Sequence, residues 1–268
     1  MAKTENKAEK IKFQISQTQL RTLLDKIKDL SKINDKKIVV FKFETDSLIL
    51  FSFVGNNFKN IYAFKNYMFK YSEIFDFITE VNEPMTYIVK NGMKFYHNLN
   101  NFNDYSRPIY CEISPSTTQG FSESMRIWNE DDEKETLFEV RMVAGDDMII
   151  GKDITMDDIN QLMDTTNCLF SYTLSPSDYE KIKKASTIDV KENDIINITV
   201  DGNKLYMGEN RWKLKICNVE QPDYQYTFPK RYFNTISTTS DINIYVFDSY
   251  ILAKYDEYNL MVVLEMSV

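Results

Sequence analysis

The chain has little of the histidine and cysteine on which many enzyme and metal sites depend. Its 268 residues include one histidine, His97, and three cysteines, Cys111, Cys168 and Cys217, which lie far apart. An odd, widely spaced set of cysteines with no CxxC pair favours free, buried thiols in a reducing compartment over a disulfide framework or a zinc site. His97 has no cysteine or aspartate at triad-like spacing, so we expect it to be a surface residue.

Glycine and proline are also scarce, and long apolar runs are missing. With 7 Gly, 6 Pro and 43% hydrophobic residues, the composition is that of a globular protein. No run approaches the roughly 20 apolar residues of a membrane-spanning helix. The lysines and glutamates of residues 1–12 indicate a solvated tail rather than a signal peptide. We expect a soluble cytoplasmic protein, located in the host cytoplasm if its source is a virus.

Acidic pairs are present where a metal-dependent enzyme could place its ligands. Gly145-Asp146-Asp147 is similar to a polymerase metal motif, but no other polymerase motif accompanies it. Asp157-Asp158 suits the first turn of a short helix, where carboxylates meet the positive end of the helix dipole. No glycine-rich phosphate loop is found, and Asp201-Gly202-Asn203 is typical of a hairpin turn. We therefore expect no catalytic residue, no metal and no cofactor.

The order of secondary structure in the first ninety residues returns in the last hundred. Hydrophobic periodicity predicts, in the first part, a strand at 12–16, a helix at 17–31, strands at 38–43 and 47–53, a helix at 72–81 and a strand at 85–89. In the last part it predicts a strand at 169–174, a helix at 177–186, strands at 195–200, 204–208 and 212–216, a helix ending at 237, and strands at 242–247, 250–255 and 260–266. A repeat of this size indicates two domains of one architecture.

The middle of the chain is less regular. Residues 98–124 are rich in turn formers and predict a loop with one strand at Ile109–Ile113. Two strands, near 125–128 and 136–143, form a hairpin around an acidic tip. A short helix is expected near Asp157–Met163, within a connector.

Basic residues lie opposite the apolar faces of the two long predicted helices. In the first, the apolar positions recur at three- and four-residue spacing, namely Leu20, Leu23, Leu24, Ile27 and Leu30. Arg21, Lys28 and Lys32 lie on the other side. In the second, Lys181 and Lys184 lie opposite Tyr179 and Ile182, while Lys230 and Arg231 open a third helix. Because the net charge is −8, nucleic acid can contact such local stripes but not the whole surface.

Several segments carry a family resemblance. They are Phe170–Ser175 before a lysine-rich helix, Tyr226–Phe233 at a strand-to-helix entry, and the closing runs 242–247, 251–255 and 259–265. In order and spacing the chain resembles a DNA polymerase sliding clamp of the two-domain type of T4-like bacteriophages, eukaryotes and archaea. The resemblance covers most of Phe13–Val89 and Leu169–Val268.

This resemblance implies an α+β fold of two similar clamp-type domains, each with an antiparallel sheet and two helices, assembled into a ring. Residues 1–12 are then a flexible tail, 13–145 the first domain with an inserted loop and hairpin, 146–166 the connector and 167–268 the second domain. A homotrimer encircling duplex DNA without sequence preference is implied, with a DNA polymerase and a clamp loader as partners. The Lys- and Asn-rich, Gly-poor composition favours a bacteriophage source.

The resemblance also assigns site residues. The DNA-facing set comprises Arg21, Lys28, Lys32, Lys181, Lys184, Lys230 and Arg231. Partner peptides of clamps bind beside the connector and the C-terminal strands, which here implies Met148, Ile149, Ile150, Tyr250, Val263 and Met266. Methionine suits a site with several partners because its side chain adapts to different shapes. The alternative is that these side chains complete the second domain's core, which for Val263 is an equally good interpretation.

Two other functions remain open from the sequence. The first is a phage structural or assembly protein built from tandem β-rich modules, which would not need the repeated basic helical faces. The second is a metal-dependent nuclease that uses the acidic pairs as ligands.

Overall fold

The computed structural model describes residues 11–55, 61–102, 107–115, 123–131, 134–135, 138–142, 154–188, 195–209, 212–236, 239–255 and 258–263. The chain divides into two compact units. The first comprises the residues up to Ser52 together with Asn66–Ile154, and the second comprises Phe53–Lys65 with Thr155–Val268.

The first half of the chain contributes ten described strands and three described helices. The strands are β1 (Ile11–Ile15), β2 (Val39–Phe43), β3 (Ser47–Gly55), β4 (Ile61–Lys70), β5 (Phe77–Ile78), β6 (Met85–Val89), β7 (Ile109–Pro115), β8 (Glu123–Asp131), β9 (Lys134–Glu135) and β10 (Phe138–Met142). The helices are α1 (Gln17–Leu30), α2 (Tyr71–Ile74) and α3 (Gly92–Asn100). Neighbouring strands follow the orders β10-β8-β7-β1-β5, with β9 beside β8, and β4-β3-β2-β6.

The second half has the same plan. Its described elements are α4 (Met156–Leu162), β11 (Phe170–Leu174), α5 (Pro176–Ile188), β12 (Ile195–Asp201), β13 (Lys204–Glu209), β14 (Trp212–Asn218), β15 (Tyr224–Pro229), α6 (Lys230–Phe233), β16 (Ile242–Val246), β17 (Tyr250–Lys254) and β18 (Tyr258–Val263). The strand orders are β14-β13-β12-β15 and β11-β16-β17-β18.

A strand–helix–three-strand module therefore occurs four times, twice in each half of the chain. In every module the three later strands form a meander, and the first strand pairs with the other module of the same half. Thus β1 pairs with β7 and β6 with β2, while β15 pairs with β12 and β11 with β16, all antiparallel. The repeat is finer than the twofold one predicted, and the α+β fold of two similar domains is confirmed.

Aromatic side chains join helices to strands in each core. Phe95 of α3 lies edge-on to Phe41 of β2, with 5.5 Å between ring centroids. In the second unit Tyr179 of α5 stacks on Phe233 of α6 at 4.8 Å, and both are fully buried. Such ring pairs add to the free energy gained from burying apolar area.

The predicted helix at 72–81 is wrong. Only Tyr71–Ile74 is helical. After it, Phe75 is buried with its ring 4.5 Å from that of Phe13. The amides of Asp76 and Thr79 donate to the carbonyls of β1 at 2.9 and 2.8 Å. This segment forms β5 because its amides pair with carbonyl groups on the edge of β1, which a helix at 72–81 would leave without partners.

The helix of the second module in the first half of the chain is α3, in a segment predicted to be partly loop. Asn91 caps it, since its Oδ1 accepts a hydrogen bond from the Lys94 amide at 3.0 Å. Phe95 and Leu99 are buried. Strand β4 also escaped the sequence analysis.

Most other sequence predictions are confirmed. The strand at 109–113 is β7, the hairpin is β8 with β10, and the connector helix is α4. The strands of the second half fall within a few residues of their predicted bounds. Helix α6 is a single turn ending at Phe233, shorter than predicted. No helix among the described residues is long and apolar enough to cross a membrane.

Candidate functional site

The first candidate surface begins on α1. Ser16 caps this helix, since its Oγ accepts from the Gln19 amide at 3.3 Å. The apolar face is buried, which leaves Arg21 and Lys28 exposed on the opposite side. Capping and burial together fix how the helix is rotated, and therefore which side chains meet solvent.

Helix α3 lies beside α1 and extends this basic surface. The Lys28 Nζ is 5.3 Å from the centroid of the Tyr96 ring on α3. Lys94 of α3 is exposed, and so is Lys32 just beyond α1. The Lys32 Nζ lies 3.6 Å from Asp29 Oδ1. Ion pairs this exposed are weak, so Lys32 stays available to an anionic ligand.

Helix α5 presents the corresponding surface in the second unit. Ser175 caps it by accepting from the Asp178 amide at 3.1 Å. Tyr179 and Ile182 are fully buried. The Tyr179 hydroxyl donates to the Phe233 carbonyl at 3.3 Å, which ties α5 to α6.

Three lysines cover the outer side of α5. Lys181, Lys183 and Lys184 are all exposed. The Lys181 Nζ lies 2.9 Å from Asp178 Oδ1, and this hydrogen bond, with a further one from Ser175, holds the pKa of Asp178 below its usual value. The helix therefore offers cations that are only loosely held by neighbouring carboxylates.

The position of Lys230 requires a correction. Its side chain is only 15% exposed, and Nζ lies 3.2 Å from Glu209 Oε1, whose side chain is 6% exposed. The same ammonium donates to the Ser186 carbonyl near the end of α5. Lys230 is therefore a structural cation, and we remove it from the predicted DNA-facing residues. Arg231 is exposed, and its guanidinium lies 4.7 Å from the centroid of the Tyr232 ring.

Sequence reasoning missed two exposed lysines on these helices. Lys94 was missed because no helix was predicted between the strand at 85–89 and the loop that begins at residue 98. Lys183 could have been found, because it lies outside the apolar positions 179 and 182 of a helix that was predicted. His97 is exposed on α3.

The second candidate surface surrounds Tyr250, the first residue of β17. Its ring stacks on that of Phe247 with 4.2 Å between centroids and 12° between planes. Burial raises the pKa of the Tyr250 hydroxyl, and the neighbouring Asp164 and Cys168 raise it further. Residues that follow α4 therefore lie close to Tyr250, which is half-buried and stacks on the buried Phe247.

The rest of the predicted peptide site is mostly outside the described residues. Met148, Ile149, Ile150 and Met266 belong to that part of the chain. For Val263 only the backbone is described, where it pairs with Tyr250. Their role stays a prediction.

The acidic side chains and the cysteines are the groups in which a metal site or a disulfide would be found. No group of three or more His, Cys, Asp or Glu side chains is placed to hold a metal ion. Cys111 is free and buried, and burial raises the pKa of its thiol, while Cys168 and Cys217 are free and half-buried. The prediction of free thiols is confirmed, although only one of them is fully buried. Gly145-Asp146-Asp147 lies outside the described residues.

Comparison with solved structures identifies the fold. No protein-family model and no curated protein matches the chain. The subunit beta of DNA polymerase III from Borrelia burgdorferi superimposes with a TM-score of 0.67 at 15% identity, over 96% of this chain and 65% of that one. PCNA from Thermococcus kodakaraensis gives 0.61 at 12% identity, over 95% and 100%. The Helicobacter pylori beta clamp, bound to a DNA ligase peptide, gives 0.62 at 10% identity, over 96% and 65%.

The chain thus has the fold of the DNA sliding clamps. It spans about two-thirds of the length of these bacterial beta subunits, 65%, and the whole length of the archaeal PCNA. At such identities the likeness establishes the architecture, while the function has to be argued from the residues.

Proposed function

We propose that this protein is a sliding clamp, a non-enzymatic ring that encircles duplex DNA and tethers the replicative polymerase. The observation that carries the proposal is the clamp fold over nearly the whole chain, combined with exposed lysine and arginine side chains on α1, α3 and α5. A ring holds DNA by topology, so it needs only weak phosphate contacts that do not depend on sequence. Lysines that are loosely paired on helical faces can make such contacts.

The DNA-facing surface can be tested by charge reversal on α5. Lys181→Glu combined with Lys184→Glu should reduce retention on circular DNA and processive synthesis without loss of folding. A matched control is Lys204→Glu with Lys254→Glu, which makes the same charge change on exposed strand residues. Equal defects in the two double variants would show a general charge effect and contradict the assignment.

Ring closure requires complementary strand edges, and β14 has the features of one. It ends its strand order, and its inward apolar residues Trp212, Leu214 and Ile216 are only half-buried. The Trp212 Nε1 is buried with no hydrogen-bond partner among the described residues. We infer that β14 pairs with β10 of the next protomer, which ends its own strand order in the first unit. Open edges of this kind invite pairing.

A head-to-tail contact gives a closed ring only if the rotation between neighbouring protomers is a whole fraction of 360°. We propose three chains, which give six clamp-type domains. Native mass spectrometry should give a trimer for the unmodified chain and monomers for Leu214→Glu, with Lys204→Glu as the control. A dimer, or a monomer at micromolar concentration and above, would count against a trimeric ring.

The Tyr250 surface is proposed to bind a short peptide of the polymerase or clamp loader. Tyr250, half-buried and stacked on the buried Phe247 ring, offers an apolar anchor point beside the chain that follows α4. Ile149→Ala with Tyr250→Ala should abolish binding of the C-terminal peptide of the cognate polymerase while the trimer persists. Unchanged affinity in a calorimetric titration would place the peptide site elsewhere. No observation favours the structural-protein or nuclease alternatives.

A further inference from the structure

The first unit carries aromatic side chains on the outer side of its β10-β8-β7-β1-β5 strands. Along these strands alternate residues are buried, such as Phe13, Cys111 and Ile127. Because successive side chains of a strand point to opposite faces, their neighbours project away from the core. Tyr110 and Trp128 are two of these outward residues.

Four outward residues form a row across adjacent strands. Register places Phe77 of β5 opposite Gln14 of β1, Gln14 opposite Tyr110 of β7, and Tyr110 opposite Trp128 of β8. Three strand spacings make this row about 14 Å long. We call these four residues the aromatic row.

The exposure of the row differs along its length. Phe77 is 55% exposed, the highest value among the large hydrophobic side chains that the structure describes. Tyr110 and Trp128 are half-buried, and their rings stack with 5.8 Å between centroids and 20° between planes. Cross-strand pairing accounts for the Tyr110–Trp128 contact. It does not account for a phenylalanine left in water at the end of the same row.

A charged row runs alongside. Register places Lys12 opposite Glu112 and Glu112 opposite Arg126. The Lys12 Nζ lies 3.2 Å from Glu112 Oε2, and the lysine side chain is 53% exposed while the glutamate is only 15% exposed. Arg126 is exposed, with its guanidinium 5.5 Å from the centroid of the Trp128 ring. Lys12 and Arg126 are thus exposed while the Glu112 side chain is largely covered, and register places Glu139 of β10 next in the row, opposite Arg126.

We propose that the aromatic row is a docking surface for a segment of a partner protein that carries an aromatic or aliphatic side chain beside a carboxylate. The apolar side chain packs against Phe77 and the Tyr110–Trp128 pair, where interfaces concentrate their binding free energy. The carboxylate pairs with Arg126, whose planar guanidinium can bind it in a bidentate manner. Gln14, at the centre of the row, can donate to and accept from the segment's backbone.

The charges around the row favour a protein segment over single-stranded DNA, which also stacks on aromatic rings. Asp76 and Glu80 are exposed near Phe77 in the sequence, so they repel a continuous run of phosphates more than a segment whose single carboxylate lies at Arg126, toward the other end of the row. The surface lies in the first unit and involves none of the residues assigned to DNA, to ring closure or to the Tyr250 site. The inference therefore does not depend on the proposed function.

Peptide selection on the full-length protein tests this proposal. Short random peptides displayed on phage are selected, and the enriched sequences are synthesised and titrated by calorimetry. Enriched peptides should combine an aromatic or aliphatic residue with Asp or Glu. Their affinity should fall at least about tenfold for Phe77→Ser and for Arg126→Gln, as expected when an anchor residue is lost.

A matched control is Tyr62→Ser, which removes a ring of nearly equal exposure, 54%, from β4. It should leave the affinity unchanged, and thermal unfolding should show that all three variants are folded. The proposal is overturned if no peptide is enriched, if the peptides are basic, or if Phe77→Ser has no effect. It is also overturned if binding is lost only with Tyr250→Ala, a result that leaves the proposed function intact. Quenching of Trp128 fluorescence by oligo-dT, without peptide binding, would assign the surface to DNA.

Discussion

The two units place a pair of helices on the same kind of strand framework, but they hold the pair together by different chemistry. In the first unit α3 begins at Gly92, where an added Cβ would lie 2.3 Å from Ser31 Oγ and 2.6 Å from Val39 Cγ2. In the second unit α6 is joined to its surroundings by the Lys230–Glu209 ion pair and by the Tyr179–Phe233 stack. The contact in the first unit depends on the absence of a side chain at Gly92. The contact in the second unit depends on an ion pair and an aromatic stack between side chains.

This difference teaches that equivalent positions in a repeated fold need not have equivalent functions. The sequence predicted that Lys230, at the start of α6, matches the exposed basic residues of the other helices, but its ammonium contacts Glu209 and the Ser186 carbonyl. A lysine on α3 that sequence analysis missed is exposed. Exposure is set by what each helix packs against.

The largest expected effect on stability comes from removing the cation of the Lys230–Glu209 ion pair. Lys230→Met should lower the free energy of unfolding by about 3 kcal/mol, because Glu209 is then left nearly buried without its cation. Urea unfolding measures this loss. Lys230→Met with Glu209→Leu should be less destabilising than the single change, and Lys181→Met should cost less than about 0.5 kcal/mol. Equal losses of unfolding free energy for Lys230→Met and Lys181→Met would contradict the conclusion that Lys230 is structural and Lys181 is not.

A substitution at Gly92 should have the next largest effect on the free energy of unfolding. Gly92→Ala should cost about 2 kcal/mol, since the new methyl group forces Ser31 and Val39 to move. Gly202→Ala is the control, because its φ is +55° but nothing lies within 4 Å of the added Cβ. That variant should lose only about 1 kcal/mol, through backbone strain alone. If Gly92→Ala were neutral, the close approach of α3 to its neighbours would not be limiting.

The smallest expected effect is a pH dependence on α5. Hydrogen bonds from Lys181 and Ser175 lower the pKa of Asp178 in the folded state below the ordinary aspartate value of 3.8. A depressed pKa gives stability that is present above pH 3.8 and is lost as the pH falls through the folded value. Because the ion pair is exposed, the contribution should stay below about 1 kcal/mol. Asp178→Asn should remove this dependence from acid titrations followed by circular dichroism, whereas an unchanged profile would assign the dependence to other carboxylates.

The local pattern of apolar residues was enough for the elements whose own residues carry a clear helical or strand period. The apolar spacing of α1 and the alternation along β12, β13 and β16 each predicted the correct element to within a few residues. Prediction failed at 72–81, because the segment pairs with β1, some sixty residues earlier. It failed again at α3, because asparagine and glycine favour loops locally while a cap and the burial of Phe95 favour a helix.

By itself the sequence determined the α+β class, the repeated architecture and the basic sides of α1 and α5, because periodicity and charge act over a few residues. Only the tertiary structure decided the four-module pairing, the burial of Lys230 beside Glu209 and the alignment of Phe77 with Tyr110 and Trp128. Each of these depends on strand register or on contacts between distant segments. Such contacts form only when the whole chain folds, since the free energy of a pair depends on the burial that surrounds it.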